Sequence, residues 1–272
     1  MRELAVSSIA WTNEEEPAIA QKLIELGIQH VEIAPTKIWS DPTTTSFEEA
    51  REYVEWWKER GIRVSAFQSM LFSRPDLKIF EGRALYNESF DYLKKFLDLA
   101  GVMDVKRLVF GSPKNRHRGN KSLEEANEIA VKFFGDLGKI ASDNNTILCI
   151  EPNAPQYGCD FITNANEGAE IVRKINEPGL KLHLDTACMA LAGDDLAESI
   201  RSTKDIVEHF HISSPMLEQV EQREDVDHVS ASRALNEIGY DNLISIEMRP
   251  GESGTNVQRI EKAVKFAQAT YF

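Results

Sequence analysis

Cysteine is scarce and poorly spaced for bonding: Cys149, Cys159 and Cys188 are the only three in 272 residues. An odd number without CxxC spacing supports neither a disulfide framework nor a structural zinc knuckle. Positive charge is also short, with 31 Lys and Arg against 44 Asp and Glu, a net charge of −13. The resulting field repels polyanions, and the basic face expected of a nucleic-acid binder is missing. The opening MRELAVSSIA carries a glutamate and no long apolar run. Neither a signal peptide nor a membrane anchor is therefore expected, and the expected location is cytoplasmic. Glycine and proline are scattered rather than gathered into a linker, so one domain over residues 1–272 is the simplest reading. No glycine stands in SSIAWTN, after the first apolar run, which counts against the phosphate loop of an open doubly wound sheet.

What is present is alternation. Short apolar runs at 4–11, 31–34, 63–69 and 107–113 are followed by helical periodicity over 14–26, 46–60, 81–100 and 122–141. Ser46 and Glu49 make a capping box, and Gly27 and Gly61 stand just past the helices they end. Four further strands are each followed by a helix, at 164–175, 194–202, 229–238 and 256–269. Eight such pairs predict a closed (β/α)8 TIM barrel, whose active site is built at the C-terminal ends of the strands.

The last four strands read TILCIE, LKLHLD, IVEHFH and LISIE, and they end at Glu151, Asp185, His211 and Glu247. A carboxylate at the end of a buried strand is costly unless something positive neutralises it. Intervals of 34, 26 and 36 residues each hold one β/α unit, so the four side chains fall on neighbouring strand ends. Taken singly, each acid is as compatible with a helix cap or with solvation. Taken together they ask for one shared cation. Three oxygen donors and one nitrogen suit Mn²⁺ best, with Mg²⁺, Co²⁺ or Zn²⁺ as alternatives.

EPN at 151–153, HLDT at 183–186, FHIS at 210–213 and ISIE at 244–247 resemble the xylose isomerase-like TIM barrel superfamily, as do VDH at 226–228 and EIGYDN at 237–242. That superfamily includes sugar isomerases, ketose 3-epimerases, inosose dehydratases and endonuclease IV. The resemblance implies that Glu151, Asp185, His211 and Glu247 hold one divalent ion, with Glu151 and Glu247 doubling as the acid/base pair of an isomerase or epimerase. A small sugar would pass through an enediolate, the two glutamates moving protons on and off its carbons. A dehydratase or lyase of an inosose or keto-sugar is the alternative chemistry, and a barrel that binds without catalysis the alternative class.

Glu32, Gln68, Lys114, Arg116, Asn153, His183, Cys188 and Arg249 complete the candidates as substrate-binding residues. Glu32 ends the second strand, where it could equally meet a substrate hydroxyl, join a hydrogen-bond network or simply be solvated. His183 precedes Asp185 by two and shares its face one layer deeper. Lys114 and Arg116 belong to the one concentrated basic loop, 112–121, able to hold an anion. Two positions depart from the family pattern. Cys188 replaces a histidine many members carry, and no arginine follows His211 closely, which counts against ketose 3-epimerisation. Gln68 and Ser112 stand where the endonuclease cluster needs histidines. Met70–Leu77 reads as a lid or a contact with a second copy of the chain, leaving a homo-oligomer open.

Overall fold

The eight strands pair in parallel in chain order, and the last returns to the first: Glu3 of β1 (Glu3–Ser7) lies beside Leu243 of β8 (Leu243–Glu247), closing the sheet on itself. The computed structural model describes residues 2–272, so Met1, the start of the opening decapeptide and of the 1–272 span, lies outside it. Between those edges come β2 (His30–Ile33), β3 (Arg63–Phe67), β4 (Arg107–Phe110), β5 (Ile147–Ile150), β6 (Leu180–Asp185) and β7 (Val207–Ser213). The outer layer holds α1 (Glu16–Glu25), α2 (Pro35–Ile38), α3 (Phe47–Lys58), α4 (Arg83–Val102), α5 (Leu123–Asp143), α6 (Ala165–Ile175), α7 (Thr186–Ala192), α8 (Leu196–Ser202), α9 (His228–Glu237) and α10 (Asn256–Tyr271). This is the (β/α)8 barrel that the alternation predicts. The Ser46–Glu49 capping box forms at the start of α3, the Glu49 N–H donating to Ser46 Oγ at 3.2 Å.

Two short helices occupy stretches that the sequence pattern leaves as loops. The α2 turn starts on Pro35, whose fixed φ suits a first helical position. The α7 helix follows β6 without a break because Asp185 caps it, Oδ1 accepting the Cys188 N–H at 2.6 Å, and Gly193, at φ 78°, ends it. The expected strand over 4–11 stops at Ser7, whose Oγ accepts the Ile9 N–H and turns the chain into a 3-10 turn.

The apolar core lies outside the barrel. Side chains alternate across each strand, and the outward set, such as Val6, Ile33, Phe110, Leu184 and Ile246, packs beneath the helices in one continuous cluster. The inward set is polar: Ser7, Glu32, Gln68, His183, His209 and Ser245 are all buried. Among the described residues the separate apolar cluster is just Ala5, Ala66 and Leu243. A barrel of this type is ordinarily filled by bulky branched side chains. Here much of the interior is given to polar groups, although Ser245 Oγ and both nitrogens of His183 have no hydrogen-bond partner.

Candidate metal centre

Register brings the four strand ends together. Asp185 lies opposite His211 between β6 and β7, and Ser213 lies opposite Glu247 between β7 and β8. Glu151 follows β5 directly, its N–H donating to the Phe110 carbonyl at 3.0 Å. One ligand atom from each of Glu151, Asp185, His211 and Glu247 falls within 4.8 Å of the other three. Glu151, Asp185 and His211 are buried and Glu247 is half-buried, so the cluster opens to solvent on one side. Gly111, after β4, makes room for it. A Cβ there would collide with Glu151 Oε2 and stand 3.3 Å from Asn153 Oδ1.

The electrostatics are those of a site short of positive charge. Burial, then Glu247 and Asp185, push the Glu151 carboxyl up to about 8. Burial and Glu247 push Asp185 up to about 6. Burial opposes charge on His211, yet Glu32 and Glu247 outweigh it and raise the imidazole well above its usual range. Asp185 Oδ2 and His211 Nδ1 have no hydrogen-bond partner, although Glu247 Oε2 stands 3.3 Å from that nitrogen. Buried polar atoms without partners are few in native proteins and ask for an explanation. A divalent ion would supply one, since it would neutralise the acids and give both idle atoms a partner. The donor set therefore fits the cation that the sequence calls for.

Beneath the cluster lies a second polar tier. Glu32 accepts from His211 Nε2 at 3.0 and 3.1 Å and from His209 Nε2 at 3.1 Å, with no solvent exposure. These contacts hold the Glu32 carboxyl well below its ordinary range despite burial. With Nε2–H committed to Glu32, Nδ1 is the nitrogen of His211 left for the cluster, 3.3 Å from Glu247 Oε2. Glu32 thus meets histidines and not a substrate hydroxyl. His183 does not face the mouth either. It is fully buried with its ring centroid 4.1 Å from that of His211, and neither of its nitrogens has a hydrogen-bond partner. The nitrogens of His183, His209 and His211 also lie within 4.8 Å of one another, but two of the three rings already serve Glu32. His209 is not among the residues expected at the site; its signal is the HFH spacing, which repeats the His183–Asp185 step one strand along.

The mouth above the acids is a cavity of about 510 Å³ whose lining includes Glu151, Asp185, Glu247, Asn153, Cys188 and Lys114. Cys188 Sγ stands 3.7 Å from Glu151 Oε1. Leu71, Phe72, Pro75, Tyr157 and Leu217 form an apolar rim, with Phe72 84% exposed. Within the segment read as a lid or contact, Met70, Leu71 and Leu77 are buried.

Three other candidates stand elsewhere. Arg116 is fully buried and spends its guanidinium on the carbonyls of Gly111, Phe161 and Ile162 and on Asn153 Oδ1, so it faces no incoming anion. Its loop neighbours are also engaged, His117 with Asp160 at 3.3 Å and Arg118 with the Asp160 and Lys121 carbonyls. Arg249 is exposed and outside the cavity lining. Gln68 is buried and donates to Ser7 Oγ below the mouth. Trp11, Phe67 and Phe110 are core, while Tyr157 reaches the rim.

A closed barrel with an acid-lined, cation-competent cluster at the strand C-termini defines the class. The chain belongs to the xylose isomerase-like TIM barrel family, whose model matches residues 20–270. It is similar to the L-ribulose 3-epimerase of Methylomonas sp. (strain DH-1), 23% identical over 246 residues that cover 88% of this chain and 82% of the relative. It is also similar to the D-psicose 3-epimerase of Ruminiclostridium cellulolyticum, 26% identical over 136 residues that cover 48% of this chain and 45% of that one. The aligned stretch thus spans less than half the length of that relative. The fold is also that of the IOLI protein with a binding zinc atom, at a TM-score of 0.78 and 18% identity, covering 99% of this chain and 98% of the other. Among the described residues no helix is long and apolar enough to cross a membrane.

Proposed function

We propose that this protein is a divalent-metal-dependent isomerase or epimerase of a small sugar or sugar derivative. Convergence of three carboxylates and one imidazole, with two buried ligand atoms idle, carries the reading. The likeness to two sugar 3-epimerases points to the same class of chemistry. On this reading residues 1–272 are one domain and Glu151, Asp185, His211 and Glu247 hold the ion, Mn²⁺ suiting the oxygen-rich donor set.

When bound, the cation supplies stabilisation of the negative charge that develops on substrate oxygens. The chain's own residues do the rest. Glu151, just past β5, and Glu247, the last residue of β8, both line the cavity, so a substrate seated there meets carboxylates from two separate strand ends. One takes a proton from the carbon beside a carbonyl, giving an enediolate. The other returns a proton to the same carbon, an epimerisation, or to its neighbour, an isomerisation. While no cation is bound, burial and mutual repulsion make Glu151 hold its proton more tightly, so its ionisation to act as a base goes with occupation of the site. Glu32 keeps His211 oriented.

The test is exchange of substrate C–H with solvent deuterium across a panel of ketoses with Mn²⁺ supplied. Exchange that vanishes with chelator is expected. Absence of exchange on every sugar overturns the reading, and a product lighter by one water moves it to a dehydratase.

A further inference from the structure

The orientation of one side-chain amide at the mouth is dictated from below. Arg116 offers five N–H donors in a rigid fork and has no acceptor. Asn153 therefore has to turn its oxygen toward it, and Oδ1 accepts from Arg116 Nη2 at 3.0 Å. The rest of the fork is fastened to the carbonyls of Gly111 at 2.6 Å, Phe161 at 3.0 Å and Ile162 at 3.2 Å, so Arg116 cannot swing aside without breaking the joint between the loops after β4 and β5. Asn153 Nδ2 is consequently the atom left for the cavity, where its partner is Cys188 Sγ at 3.5 Å. A thiol is a weak acceptor. An almost buried NH₂ beside Glu151 is thus held in place without a strong partner.

We infer that Asn153 is a specificity-determining donor that binds a neutral sugar oxygen next to the carbon facing Glu151, and that Arg116 is the positioning residue that fixes its orientation. The inference rests on the proposed sugar chemistry and deepens it. The substrate must present a hydroxyl or carbonyl oxygen, an acceptor, at this point of the mouth. An amine or other donor-only group there is rejected, because its N–H would face the amide N–H.

Asn153→Asp tests the donor. The carboxylate keeps an oxygen for Arg116 and removes the NH₂, so KM for whichever ketose of the panel the wild-type protein exchanges is expected to rise about tenfold or more, the scale of one hydrogen bond, while Mn²⁺ binding does not weaken. Arg116→Lys keeps the charge and loses the fork, and is expected to raise KM in the same direction, again without weakening Mn²⁺ binding. An unchanged KM in Asn153→Asp, or a KM effect accompanied by loss of Mn²⁺ affinity in both variants, overturns the inference. Substrate-free NMR of the Mg²⁺-loaded wild type checks the orientation, through a cross-relaxation contact between the Asn153 amide protons and the Cys188 β-protons. Its absence overturns the positioning role of Arg116. Wild-type protein that exchanges no ketose, with that contact present, overturns the sugar reading and leaves the positioning of Asn153 standing.

Discussion

Glu32 and His211 face each other at 3.0 Å in a part of the barrel that water does not reach, on strands separated by 179 positions in the chain. The pair determines which nitrogen of the histidine is left for the cluster above. Glu32→Gln retains the shape and removes the charge that favours Nε2–H. Such supporting partners are typically worth about 10- to 100-fold in metal affinity, and a weakening of that order in calorimetric Mn²⁺ binding is expected. Unaltered affinity would show that His211 needs no support from below.

The two glutamates should separate from the other two ligands in kinetics. Glu151→Gln and Glu247→Gln are expected to lower kcat by roughly 100-fold or more, the usual scale of a lost general acid or base. Asp185→Asn and His211→Ala are expected to raise the Mn²⁺ concentration needed for half-maximal rate, with part of the loss restored by excess metal. Full activity in either glutamate variant would remove the acid/base assignment.

Metal and protons compete for the same atoms. Glu151, raised to about 8, and Asp185, raised to about 6, bind protons more tightly folded than unfolded. Their contribution to the stability of the metal-free protein is therefore present at low pH and lost as pH rises through those values. Ion binding displaces the protons, so the rise in melting temperature on adding Mn²⁺ should grow between pH 6 and pH 8. A metal-induced shift that is flat across that interval would contradict the assignment.

Gly111→Ala introduces one methyl group against Glu151. Overpacking a fixed site costs about 1–3 kcal/mol, and here the group displaced is a proposed ligand. Weaker Mn²⁺ binding and lower turnover are both expected. Wild-type values for both would mean that Glu151 is free to lie elsewhere.

The barrel is legible in the sequence because each strand and helix carries its own period, and the four strand-end residues are legible because each closes an apolar run. Residues a layer away from that signal are harder to read. Arg116 looks like an anion ligand in a basic loop, and only the fold shows that carbonyls from the loops after β4 and β5 surround it. Arg249 follows Glu247 by two, but β8 has ended by then and alternation no longer predicts direction. Glu32 reads equally as solvated, networked or substrate-facing until β2 closes opposite β7. The α7 helix hides because Asp185 is at once the last residue of β6 and the cap of α7, leaving no loop between them to mark a boundary.

Grease and chemistry occupy separate compartments in this molecule, the first in the sleeve between strands and helices and the second in the lumen. A substitution at an inward position such as Ser245 or His183 therefore acts on the polar tier beneath the cluster before it acts on the apolar sleeve. The mouth above the lumen, lined by Cys188, Lys114 and Leu217 among others, is the natural place to randomise when new substrates are sought.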